Sequence, residues 1–228
     1  MIPIRDHNPS GAKPIITYLL IAANILIFVY MLLLPENLID GFINSYGLIP
    51  AQITSGQNLI TFITSMFIHG SIGHLAGNMI FLNIFGDNLE NRLGHLKYLL
   101  FYFICGFVAS IAQILVDPGS IIPQIGASGA IAGLMGGYLV LFPQNRVDVL
   151  FSFGRIISRG TVPAFAMRIY WFVFQMFSGV GSLASSQDIG GVAYLAHIGG
   201  FAAGFGIISI FKKRTEENST FSIKKGGE

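Results

Sequence analysis

Charged side chains are scarce in this 228-residue chain: Asp, Glu, Lys and Arg together make up 11% of it, where an average soluble domain carries about 25%. Hydrophobic residues are 53%. That balance excludes an ordinary soluble domain and places the chain in the membrane class. The single cysteine, Cys105, cannot form an intrachain disulfide, and its position inside an apolar run reads as core packing. The net charge of +2 is spread over loops without a basic stripe, so no nucleic-acid partner is implied. The lipid bilayer is the partner that remains.

What is present in quantity is uncharged sequence of membrane-crossing length. A helix needs about 20 mostly apolar residues to cross a hydrocarbon core about 30 Å thick. Residues 15–34, IITYLLIAANILIFVYMLLL, contain no charge and are too long for the apolar core of a cleaved signal peptide. Further spans are expected near 66–86, 96–116, 125–142, 163–183 and 192–211, giving six. The second is interrupted by His69, His74 and Asn78, and the fifth carries Arg168 near its start.

Basic residues near spans mark cytoplasmic loops. With six spans and a cytoplasmic N-terminus, all 13 Lys and Arg fall on one side, and the opposite loops hold only Glu36, Asp40, Asp117 and Asp188. Five or seven spans would scatter this segregation. The expected fold is therefore an all-α membrane protein, a six-transmembrane-helix bundle with both termini cytoplasmic. Residues 1–14 form a short cytoplasmic segment, 15–211 the membrane domain and 212–228 a polar cytoplasmic tail, disordered from Thr215. The loop at 35–59 is long enough to lie in the interface as an amphipathic segment, and 143–162 is compatible with a hairpin.

Polar groups at membrane depth are costly and point to function. Three clusters qualify: His69, His74 and Asn78 on span two, Gly126-Ala127-Ser128-Gly129 at the start of span four, and His197 in the first turns of span six. Spans two, four and six run in the same direction, and each cluster lies in the outer half of its span. Small residues let helices approach closely. Span four offers Gly129, Gly133 and Gly137, and span six offers Ala196, Gly200 and Gly204, so stripe-to-stripe packing would bring Ser128 to His197.

A serine hydroxyl becomes a nucleophile when a base within hydrogen-bond reach takes its proton, and histidine is the usual base. Ser128 and His197 fit those roles. An oxyanion also needs donors: the free N–H groups at the start of span four, and side-chain donors from His74 and Asn78. None of the eleven Asp and Glu lies deep in a span, which excludes an aspartyl dyad. His69 and His74 are about 140° apart around a helix and lack the carboxylate of a zinc-protease helix, so no metal is expected. Serine chemistry here has to run on a dyad.

The combination His69-x4-His74-x3-Asn78, Gly126-Ala-Ser128-Gly129 and Ala196-His197-x2-Gly200, in that order on spans two, four and six, resembles the rhomboid intramembrane serine proteases. The resemblance covers nearly the whole chain, including Glu90-x-Arg92 before span three. It implies Ser128 as nucleophile, His197 as base, and His74, Asn78 and the Ser128 backbone N–H as oxyanion contacts. It implies hydrolysis of a peptide bond in or beside a transmembrane helix of a membrane-protein substrate, near the outer face, with no cofactor. Two positions depart from the family pattern. Ile60 and Thr61 stand where many members have Trp-Arg, and Ala132 stands where some place a tyrosine that stacks on the histidine.

Plainer readings accompany each residue. Ser128 alone could be an interfacial serine bonding a carbonyl, and His74 and Asn78 could serve interhelical hydrogen bonds. His69 reads as structural, Glu90 and Arg92 as a salt bridge or cap, and His7 and His95 as solvated. The rival of another class is a catalytically inactive rhomboid-like protein that binds membrane clients. A small transporter would favour two related halves with broken helices, and no such repeat is present. The expected location is a prokaryotic plasma membrane, since no transit peptide is read.

Overall fold

The computed structural model describes residues 2–8, 11, 13–153, 156–167, 169 and 194–225. In chain order the elements are strand β1 (Ile2–Asp6), helices α1 (Ile15–Leu33), α2 (Glu36–Tyr46), α3 (Pro50–Thr54) and α4 (Thr61–Thr64), and a 3-10 turn at Ser65–Phe67. There follow α5 (Ile72–Leu93), α6 (His95–Val116), α7 (Ser128–Leu141), strands β2 (Arg146–Phe153) and β3 (Ile156–Pro163), and α8 (Tyr194–Lys225). Among the described residues, three helices are long and apolar enough to cross a membrane: α1, α6, and the part of α8 from Leu195 to Lys213. The expected span at 163–183 lies, beyond its first residues, outside the described residues.

Helix α1 shows how composition becomes packing. Its buried positions are Thr17, Leu20, Asn24, Phe28 and Met31, a helical stripe at spacings of three and four. Tyr18, Leu19, Leu26 and Leu33 on the remaining faces are exposed, the apolar surface that lipid rather than water would solvate. Helix α7 is different. Every residue from Ala130 to Tyr138 is buried, and its neighbours are α5, α6 and α8. It is the central helix, and its 14 residues make it about 21 Å long at 1.5 Å per residue.

Helix α5 corrects the expected second span. It runs from Ile72 to Leu93 rather than over 66–86. The start is set by Ser71, whose hydroxyl accepts from the His74 N–H at 3.1 Å as an N-cap. The end is set by Gly94, at a φ of 77° that favours glycine. The helix continues past Asp87 and Glu90 because Glu90 is buried, 2% exposed, and satisfied by protein. Its carboxylate accepts from the Ile16 and Thr17 N–H groups at 2.8 Å each and from the Thr17 hydroxyl at 2.7 Å. Glu90 thus caps α1 rather than its own helix.

The loop at 35–59 contains α2, with no buried residue, and the short α3. The hairpin at 143–162 is present as the antiparallel pair β2 and β3, in register from Arg146↔Pro163 to Phe153↔Ile156. Its inner side chains Val147 and Val149 are fully buried against the helical core. A third strand was not expected: β1 adds to β2, giving the order β1-β2-β3. His7 and His95 are paired rather than simply solvated, with Asp148 at 2.7 Å and Glu90 at 2.5 Å. Helix α8 continues to Lys225 instead of ending in a disordered tail, through a stretch rich in the helix-favouring Lys, Arg and Glu.

Candidate active site

The site is assembled at the N-terminal ends of α5, α7 and α8. Ser128 is the first residue of α7, with Ala127 as the preceding cap position, so the amides of the first turn have no intrahelical acceptor. His197, on the first turn of α8, is 4% exposed. Its Nε2 lies 2.7 Å from Ser128 Oγ, a hydrogen bond between groups 69 residues apart in the chain.

Two α5 side chains complete the arrangement. Gly126 has a φ of 116°, a conformation that other residues rarely adopt. A Cβ built there would meet His74 Nε2 and Cε1 at 2.8 Å each and Asn78 Nδ2 at 3.7 Å. The imidazole and the amide therefore sit directly over the backbone two residues before Ser128. Asn78 is 7% exposed, and its buried Nδ2 donor has no hydrogen-bond partner among the described residues, which is uncommon for a buried polar group. The approach to α7 is itself anchored: Leu48 and Gln124 exchange backbone hydrogen bonds at 3.0 and 2.8 Å, and the Gly126 N–H donates to the Ser65 carbonyl at 2.9 Å.

The small residues explain how α7 and α8 come so close. A Cβ at Gly200 would collide with the Gly129 carbonyl, and one at Gly204 with the Gly133 carbonyl. Ala196 is buried beside them, its carbonyl 4.0 Å from where a Gly129 Cβ would be. Gly137 faces Ile208, Phe101 and Leu89 rather than a small residue of α8. The closer glycine is Gly136, which spacing alone did not single out, set against the Phe201 backbone. Gly129 and Gly133 also admit Ala109 and Cys105 of α6.

His69 is fully buried in the loop before α5, its ring centroid 4.9 Å from that of His74 in an edge arrangement. Ala132, at the position where some members of the resembled family place a tyrosine, is buried in the core. Ile60 is 60% exposed, and the buried Thr61 hydroxyl donates to the Asn58 carbonyl at 2.8 Å. Among the described residues, no three His, Cys, Asp or Glu side chains cluster as metal ligands would.

The Rhomboid domain family matches residues 56–214. Rhomboid protease GluP of Bacillus subtilis (strain 168) is 30% identical over 196 residues, which cover 86% of this chain and 34% of that protein. Rhomboid-like protease 3 of Toxoplasma gondii is 28% identical over 167 residues, 73% of this chain and 57% of the relative. Rhomboid protein 1, mitochondrial, of Saccharomyces cerevisiae (strain ATCC 204508 / S288c) is 28% identical over 167 residues, 72% and 44% of the two chains. The chain thus spans between about a third and somewhat over half of the length of these relatives. With more than half of its residues matched by the family and its long helices apolar, this integral membrane protein belongs to the rhomboid family.

Proposed function

We propose that the chain is an intramembrane serine endopeptidase that hydrolyses a peptide bond in or next to a transmembrane helix of membrane-protein substrates. The observation that carries this is the 2.7 Å contact between His197 Nε2 and Ser128 Oγ. Ser128 Oγ attacks the scissile carbonyl carbon as His197 Nε2 takes the hydroxyl proton. The resulting oxyanion is held by the Ser128 backbone N–H, by Asn78 Nδ2, and by His74, whose ring nitrogen shares the space over Gly126 with that amide. The C–N bond then breaks, His197 returns the proton to the departing amine, and an ester to Ser128 remains. Water attacks the ester carbon as His197 Nε2 takes its proton, the bond from that carbon to Ser128 Oγ then breaks with return of the proton to Oγ, and the acid product leaves.

The scheme uses no metal or cofactor. It places residues 15–211 in a bilayer as a six-span domain with both termini cytoplasmic. This arrangement is supported by the segregation of the 13 basic residues. The reacting groups then lie toward the outer face, and the bilayer is proposed to be a prokaryotic plasma membrane.

The test is cleavage of a transmembrane peptide substrate of the rhomboid family by purified protein in liposomes. Wild type is expected to cut, and Ser128→Ala and His197→Ala to lose activity while remaining folded. Cleavage surviving in either variant would refute the dyad. A folded wild type that binds the peptide without cutting it would support the client-binding alternative.

A further inference from the structure

The N-terminal strand brings a carboxylate to a place where nothing in the candidate site uses it. β1 pairs with β2 from Ile2↔Leu150 to Asp6↔Val147, with a bulge between Pro3 and Arg5. In a regular strand, residues three apart point to opposite faces. The bulge removes one step of that alternation, so Pro3 and Asp6 are both buried. Asp6 reaches the bundle between α5 and α7. Its Oδ2 accepts from Tyr138 Oη of α7 at 2.6 Å and from Asn88 Nδ2 of α5 at 2.6 Å. The surrounding bonds are also made: Asn145 Nδ2 donates to Tyr138 Oη at 2.7 Å, and Asn8 Nδ2 to Asn88 Oδ1 at 2.8 Å.

The register of this bridge is informative. Asn88 lies ten residues after Asn78 on α5, and Tyr138 ten residues after Ser128 on α7, so each anchor is about 15 Å along its helix from its site residue. One carboxylate oxygen therefore ties the two helices together at a common level beneath the site. Helices are stiff over such a length, and an axial slip at Asp6 would be carried to the distance between the Ser128 hydroxyl and the Asn78 amide. Burial pushes the Asp6 carboxyl above the usual carboxylate range, with the Tyr138 hydrogen bond opposing that rise. In a chain with so few charges, a buried carboxylate retained by two short bonds calls for a use.

We propose that β1 is a clasp on the end of the bundle opposite the candidate site, and that Asp6 is a positioning residue that sets the register of α5 against α7. The clasp rests on the proteolytic reading for its kinetic consequence, though not for its structural one. It acts through Asn88 and Tyr138 and touches no substrate.

The test compares Asp6→Ala, Asp6→Asn and Tyr138→Phe in the full chain in liposomes. Two readouts are taken: kcat and KM for cleavage of a transmembrane peptide, and amide hydrogen exchange in segments 72–78 and 126–131. Asp6→Ala is expected to lower kcat by about 10-fold to 10²-fold with KM changed by no more than about twofold, as slight misplacement of reacting groups does. Exchange in both segments is expected to rise. Asp6→Asn keeps an oxygen for both short bonds and should restore kcat. Tyr138→Phe removes one bond with little change of volume and should fall between them, which keeps the test open should Asp6→Ala not fold. Folded Asp6→Ala or Tyr138→Phe with wild-type kcat and wild-type exchange would overturn the clasp, as would a lowered melting temperature alone. Should wild type fail to cleave, the proteolytic reading falls, and the exchange readout still decides the clasp.

Discussion

A buried amide N–H without an acceptor costs about 1–3 kcal/mol, and the Asn78 Nδ2 at the edge of the Ser128 cluster has no acceptor among the described residues. An oxyanion would be its natural acceptor, which gives the cost a purpose under the proposed chemistry. Asn78→Ala is expected to lower kcat by roughly 10²–10³-fold, the effect of losing one such donor in soluble enzymes, with little loss of folded protein. Peptide-cleavage kinetics on the purified variant check this, and an unchanged kcat would return Asn78 to interhelical bonding. The residue types at Ser128, His197, His74 and Asn78 were legible in the sequence because polar side chains stand out in apolar runs. The role of Gly126 was not. Its positive φ and the imidazole packed on it depend on where α5 lies, and no local pattern encodes that. Asp6 was hidden for the same reason: its partners Asn88 and Tyr138 lie 82 and 132 residues away.

At the scale of elements, contact between α7 and α8 brings Ser128 to His197, and glycines permit it. The side chain introduced by Gly204→Val would enter the Gly133 carbonyl. Overpacking of a tight core costs typically about 1–3 kcal/mol, and backbone on the opposing side leaves little room to adapt. Gly204→Val is therefore expected to lower thermal stability in detergent and to reduce activity together. Gly206→Val, where a Cβ meets nothing within 4 Å among the described residues, serves as the control. A Gly204→Val protein as stable as the control would contradict the packing account. Periodicity and length were enough to read α1, α6 and the apolar part of α8, whose exposed faces match a uniform lipid environment. They misplace the end of α5 because a charged residue ordinarily ends an apolar span, whereas Glu90 is buried on the amides of α1. The five-residue β1 carries too little pattern to be read alone and becomes a strand only once β2 is beside it.

For the whole molecule, composition carried the class: a chain with 11% charge has no other way to satisfy its surface than lipid. The exposed Leu and Ile of α1 and α6 fit that surface. The proposed six-span arrangement predicts that reporter tags at the N-terminus and after residue 225 are both inaccessible from outside intact cells, while a tag inserted near Gly119, between α6 and α7, is accessible. Protease protection on intact cells and inverted vesicles checks this, and termini on opposite sides would require an odd number of spans. The measurement closest to the central claim needs no substrate: labelling of detergent-purified protein by a serine-reactive fluorophosphonate, with a known active rhomboid protease labelled in parallel. An activated Ser128 predicts labelling of wild type that is lost in both Ser128→Ala and His197→Ala. A folded wild type that stays unlabelled beside a labelled control, or labelling that persists without His197, would contradict it.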